Sequence, residues 1–140
     1  MNKIKDFNEQ WYRWDPVFGV KGNYYVQKIL DEDGAFKFIL NNKEQNQIVE
    51  VAFPQTIAAI RIADEGVVFM LFDRLSSKYG EDFYANWAFF KVENSDCLRW
   101  LSGGTAGFSE KYELTHYVIK GLDLVIDVVT RHAPIVRLVP

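Results

Sequence analysis

Cysteine is nearly absent from this chain of 140 residues: Cys97 stands alone, so no internal disulfide can form and nothing points to an oxidising compartment. Histidine is almost as scarce, with His116 and His132 only. A zinc site needs three or four His, Cys, Asp or Glu ligands in compact spacing, so no metal and no cofactor is expected. Long apolar runs are missing too. No stretch of about 18 apolar residues occurs, and no apolar segment follows the basic start at Lys3 and Lys5, which predicts a soluble cytoplasmic protein without a membrane span. Charge of one sign is lacking as well. Sixteen basic against nineteen acidic side chains leave a net charge of −3, against a binder of nucleic acid, which needs a basic face.

What the chain has is aromatic and β-branched bulk. Aromatic residues make up 16% and hydrophobic residues 49% of the sequence, enough for one domain with its own core. The last fifth alternates Leu122, Leu124, Ile126 and Val128 with Asp123, Val125, Asp127 and Val129, the two-residue period of a strand with one face on a core. Earlier, Tyr24–Leu30, Ala35–Leu40, Gln47–Phe53 and Thr56–Ile62 read as a four-strand meander broken by polar turns. Asp64 is placed to cap a helix with Val67, Val68, Leu71, Phe72 and Leu75 on one face and Gly80 as its stop. Asn86–Val92 reads as a strand. Ser95 caps a short helix carrying Leu98, Trp100 and Leu101 and ending at Gly103-Gly104, and strands follow near 115–120, 123–129 and 135–139. The order predicts one α+β domain: an N-terminal segment over 1–22, a β-meander over 23–62 and a helix and strand portion over 63–140, in which a mostly antiparallel sheet is packed by one to three helices.

Few residues invite chemistry. Arg61 precedes Asp64 and Glu65 at a strand-to-helix junction, where a guanidinium can fork onto a carboxylate; a hydrolase using Asp64, Glu65 or His116 would instead need those groups to converge in one cleft. Cys97 sits in the first turn of the second helix, where the dipole lowers a thiol pKa. Ser102–Gly107 is rich in glycine but follows a helix and lacks the Lys-Ser/Thr ending of a phosphate loop, so it reads as a connector. Acidic clusters at Asp31-Glu32-Asp33 and Glu81-Asp82 fit solvated turns, and equally fit a surface steering a basic partner. Trp11, Tyr12 and Trp14 are residue types that dominate interface energetics. An aromatic hollow holding an apolar ligand, lined by Trp87, Phe89 and Trp100, is a further alternative.

The set Arg61-x-x-Asp64-Glu65, Trp87-x-Phe-Phe-Lys-Val-Glu-Asn-Ser95 with Leu98-x-Trp100, His116-Tyr-Val-Ile, Asp123-x-x-x-Asp127-Val128 and Pro134-x-Val136 resembles a family of small bacterial cytoplasmic proteins. Its members are thought to act as immunity proteins of polymorphic or contact-dependent growth-inhibition toxins. The resemblance spans roughly residues 48–139. It implies a non-enzymatic protein that binds a cognate toxin domain and occludes its active site, with no nucleic acid, membrane or cofactor involved. Arg61, Asp64, Glu65, Trp87, Trp100, His116 and Asp127 then carry over as pattern residues that hold the fold. Trp11, Tyr12, Trp14, Asp31, Glu32, Asp33, Glu81 and Asp82 are the expected partner contacts, and an exposed C-terminal edge strand offers a route either to a homodimer or to strand addition by the partner.

Overall fold

The computed structural model describes residues 9–17, 20–54, 57–104 and 113–139. Its elements run β1 (Gln10–Arg13), β2 (Tyr25–Glu32), β3 (Ala35–Asn42), β4 (Gln47–Phe53), β5 (Ile57–Asp64), α1 (Glu65–Tyr79), β6 (Phe89–Glu93), α2 (Asp96–Gly104), β7 (Thr115–Lys120), β8 (Leu124–Thr130) and β9 (Ile135–Val139). Thr56, and Thr105 to Gly107 of the glycine-rich connector, lie outside the described residues.

Turn chemistry acts as the sequence predicts. Asp33 and Gly34 take φ of 51° and 82°, the left-handed pair that a two-residue hairpin between β2 and β3 requires. The Asp64 carboxylate accepts the Gly66 N–H at 3.1 Å and starts α1, while Gly80, at φ 99°, donates its N–H to the Ser76 carbonyl and ends it. Helix α1 buries Val68, Leu71 and Leu75. Phe72, expected on that face, is instead exposed, as are Phe69 and Met70, so the apolar circumference of this helix is not sequestered.

The α+β class and the antiparallel pairing stand, but the strands divide between two sheets. One has the order β1-β6-β7-β8-β5 and the other β2-β3-β4-β9. The meander therefore stops at β4; β5 leaves it to pair with β8. Phe38, Leu40, Val49, Val51 and Phe53 of the smaller sheet meet Phe89, Tyr117, Ile119, Ile126 and Val128 of the larger in one core. The other face of the larger sheet is covered by the helices: α1 lies over Phe90, Val92, Val118 and Val125, and α2 sets Cys97 and Leu101 on Val129. Strand β8 is thus buried on both faces, which is why its sequence is apolar almost throughout and why Asp127 is inside.

Candidate functional site

Alternation along β7 and β8 sends His116, Val118 and Lys120, and Val125, Asp127 and Val129, to the helix-covered face. His116 and Asp127 meet there beside Ser95, the residue before α2. The Ser95 Oγ lies 2.7 Å from His116 Nδ1, and His116 Nε2 lies 2.7 Å from Asp127 Oδ1. Arg61 Nε donates to Asp127 Oδ2 at 3.1 Å, and the Leu98 N–H donates to Ser95 Oγ at 3.1 Å. A carboxylate can only accept, so His116 Nε2 donates to Asp127, and every member has a partner.

Arg61 therefore does not fork onto Asp64 or Glu65. In a strand, residues three apart point to opposite faces, while the β5–β8 register sets Arg61 directly across from Asp127. Asp64 is committed to its cap and Glu65 lies exposed in the first turn of α1, so the cluster of Asp64, Glu65 and His116 needed for a hydrolase does not form. Serine, histidine and aspartate in series resemble a nucleophilic triad. Here, however, Ser95 is 1% exposed and His116 2%, and the serine oxygen already holds the first turn of α2. Each charge-assisted hydrogen bond of such a network contributes about 1.5–3 kcal/mol, with the Arg61 contact at the low end because its side chain is largely in water. The arrangement ties α2 to β5, β7 and β8.

Glu9 adds to this tie, accepting the Asp96 N–H at 2.8 Å and the Trp11 indole N–H at 3.2 Å. Lys120 is a further buried charge: 4% exposed, its Nζ donates to the Tyr84 carbonyl at 2.8 Å and lies 4.7 Å from the Tyr84 ring centroid. Burial, with a smaller push from Arg13, lowers its pKa to about 8. Burial likewise raises the Cys97 thiol, against an opposing pull from Arg61, so the lowering expected from the helix dipole does not prevail. Among the described residues, no three His, Cys, Asp or Glu gather as a metal site, and no helix is long and apolar enough to cross a membrane.

The expected contact residues separate by burial. Trp11 is 4% exposed and packs edge-on against Phe90 and Tyr84, so it belongs to the core and cannot anchor a partner; β1 pairs with β6 and alternation turns Trp11 toward α1. Trp14 is half-buried against Tyr117, and its carbonyl accepts the Trp87 indole N–H at 3.1 Å. Tyr12 is exposed and its hydroxyl meets Gln10 and Glu93. Asp31, Glu32, Asp33, Glu81 and Asp82 are all exposed. The Asp82 and Phe83 carbonyls accept from Arg13, which fixes that loop. Glu32 and Asp33 rim a hollow of about 280 Å³ with Phe36 and Ile135.

A different surface draws more apolar area together. Ala59, Ile60 and Arg61 of β5 with Asp96, Cys97 and Trp100 of α2 line a groove of about 510 Å³. Trp100 is 69% exposed; Ile62, 46% exposed, lies on the opposite face of β5. Phe89 is buried and Trp87 packs half-buried against the core, and neither lines the groove at Trp100, so they do not join it around one hollow as an aromatic ligand site would require. No protein-family model, curated protein or solved structure matches the chain. The groove was missed in the sequence because β5 and α2 are far apart in the chain. The available signals were the aromatic at position 100 on the polar side of a short helix, and Arg61 within an otherwise apolar strand.

Proposed function

We propose that the protein binds and neutralises a bacterial toxin domain by covering its active site, the role that the resemblance implies. The observation supporting this most is Trp100, 69% exposed, beside Arg61 at the mouth of the groove between α2 and β5. Tryptophan and arginine are the side chains that contribute most at protein interfaces, and large exposed apolar surface marks interaction sites. The groups able to do chemistry, Ser95, His116, Asp127 and Lys120, are meanwhile buried and engaged with one another or with backbone. The relay beneath the groove holds Arg61 in place, which limits the ordering cost on binding. A partner face of about 800 Å² is the usual size for such a complex.

The test is co-expression with the C-terminal domain of the protein encoded immediately upstream, which is expected to kill cells when expressed alone and to spare them when this protein is present. Trp100→Asp is expected to abolish protection and to lower the melting temperature little, since exposed substitutions shift stability by about 0.5 kcal/mol or less. Full protection by that variant would remove this face from the interface. A second reading, a small-molecule site, is favoured by the groove's volume alone, which falls within the range of ligand pockets; native mass spectrometry showing a co-purifying ligand lost in Trp100→Asp would support it.

A further inference from the structure

We infer that the outer edge of β5 takes up an extended strand of the partner, and that this strand carries a carboxylate docking on Arg61. The inference rests on the binding reading above and specifies its mode. Four strands end the two sheets, β1, β5, β2 and β9, and they are not equally open. Strand β1 has four residues and β9 five. Strand β2 breaks register between Val26 and Lys28 and carries Lys28, Asp31 and Glu32. Short length, bulges and charge are the devices that blunt edges. Strand β5 is eight residues long, has no proline, and has one charge, Arg61, before its capping Asp64. Its single irregularity falls between Ile57 and Ala59, so the stretch from Ala59 to Ala63 is regular. Among the described residues nothing pairs with its outer side. The N–H and C=O groups pointing that way need partners, and an added strand supplies them with main-chain groups alone.

Arg61 gives the chemistry of the incoming strand. Asp127 takes its Nε, and no described residue engages either terminal nitrogen, while the side chain is 65% exposed. A guanidinium fixed from behind, with its two terminal NH₂ groups uncommitted, matches a carboxylate. Trp100 beside it, and Ile62 on the other face of β5, call for apolar or β-branched neighbours on that strand. A second copy of this chain fits less well, because antiparallel pairing of two β5 strands centred on Arg61 sets guanidinium against guanidinium.

The experiment uses the full chain and short extended peptides selected from a displayed random library, with amide hydrogen exchange as readout. Selected peptides are expected to carry one Asp or Glu among β-branched residues and to slow exchange at Ala59–Ala63. Binding should weaken about tenfold in Arg61→Gln, whose amide can still donate to Asp127, and by the same factor when the peptide's acid is changed to its amide, a control that leaves the protein untouched. Binders indifferent to both changes, or β5 amides that exchange as in the free protein, would overturn the inference, as would a dimer that protects those amides. Failure to select any peptide would overturn it as well. In each case loss of toxin protection in Trp100→Asp would still uphold the binding face, and retained protection would remove both readings.

Discussion

Lys120 offers a direct measure of what the interior of this protein costs. Its folded pKa of about 8 lies below its ordinary value of 10.5, so the unfolded chain holds the proton more tightly and the folded state is penalised wherever the ammonium is charged. Linkage then gives stability that rises with pH across the window from about 8 to 10.5, with the full penalty present below 8. From those two values the penalty is about 3 kcal/mol at pH 7 and about 1 kcal/mol at pH 10, so about 2 kcal/mol returns over that range. Lys120→Met removes the charge and keeps the length of the side chain, at the loss of the hydrogen bond to the Tyr84 carbonyl. Replacing a buried charge by a packed apolar group is commonly neutral or stabilising. Urea unfolding of both proteins at several pH values isolates the effect, because the tyrosines, whose buried members Tyr24, Tyr84 and Tyr117 are pushed upward by desolvation, are common to both. The advantage of Lys120→Met at pH 7 should shrink by about 2 kcal/mol at pH 10. Parallel profiles for the two proteins would refute the reasoning.

Asp127→Ala leaves the His116 Nε2–H buried without an acceptor and frees Arg61, and should cost about 3–5 kcal/mol in urea unfolding, as breaking buried ion pairs does. Ser95→Ala removes both the cap of α2 and the hydrogen-bond partner of His116 Nδ1, and should lower stability by about 1–2 kcal/mol, read as a lower melting temperature. Replacing Asp31, Glu32 and Asp33 by Lys should slow association with the toxin in a salt-dependent manner in stopped-flow measurements; an unchanged rate would take the hairpin tip out of the encounter.

The local features were legible because their causes are local. Asp33-Gly34, Asp64 and Gly80 act within a few residues of themselves, so the hairpin and the limits of α1 follow from residue type. The strand period in the last fifth of the chain was equally plain. The identity of Asp127's partners was not. His116 lies eleven residues away and Arg61 sixty-six, and only the pairing of β8 between β7 and β5 brings them to one place. Arg61 had two nearer acids in sequence, Asp64 and Glu65, and took neither, since strand geometry turned it to the face opposite Asp64. Trp11 misled for a related reason: tryptophan suits an interface and a core equally, and the choice depended on β1 pairing with β6.

By itself the amino-acid order determined the helix caps, the turns and the antiparallel α+β character, because backbone preference and hydrophobic period are properties of neighbouring residues. Tertiary structure alone decided that the strands split into two sheets, that buried Ser95, His116 and Asp127 join with Arg61 as a relay, and that Trp100 stays in water beside a β5 edge unpaired among the described residues. Burial and long-range pairing depend on which faces end up covered, and a chain does not carry that information in any one window of its sequence.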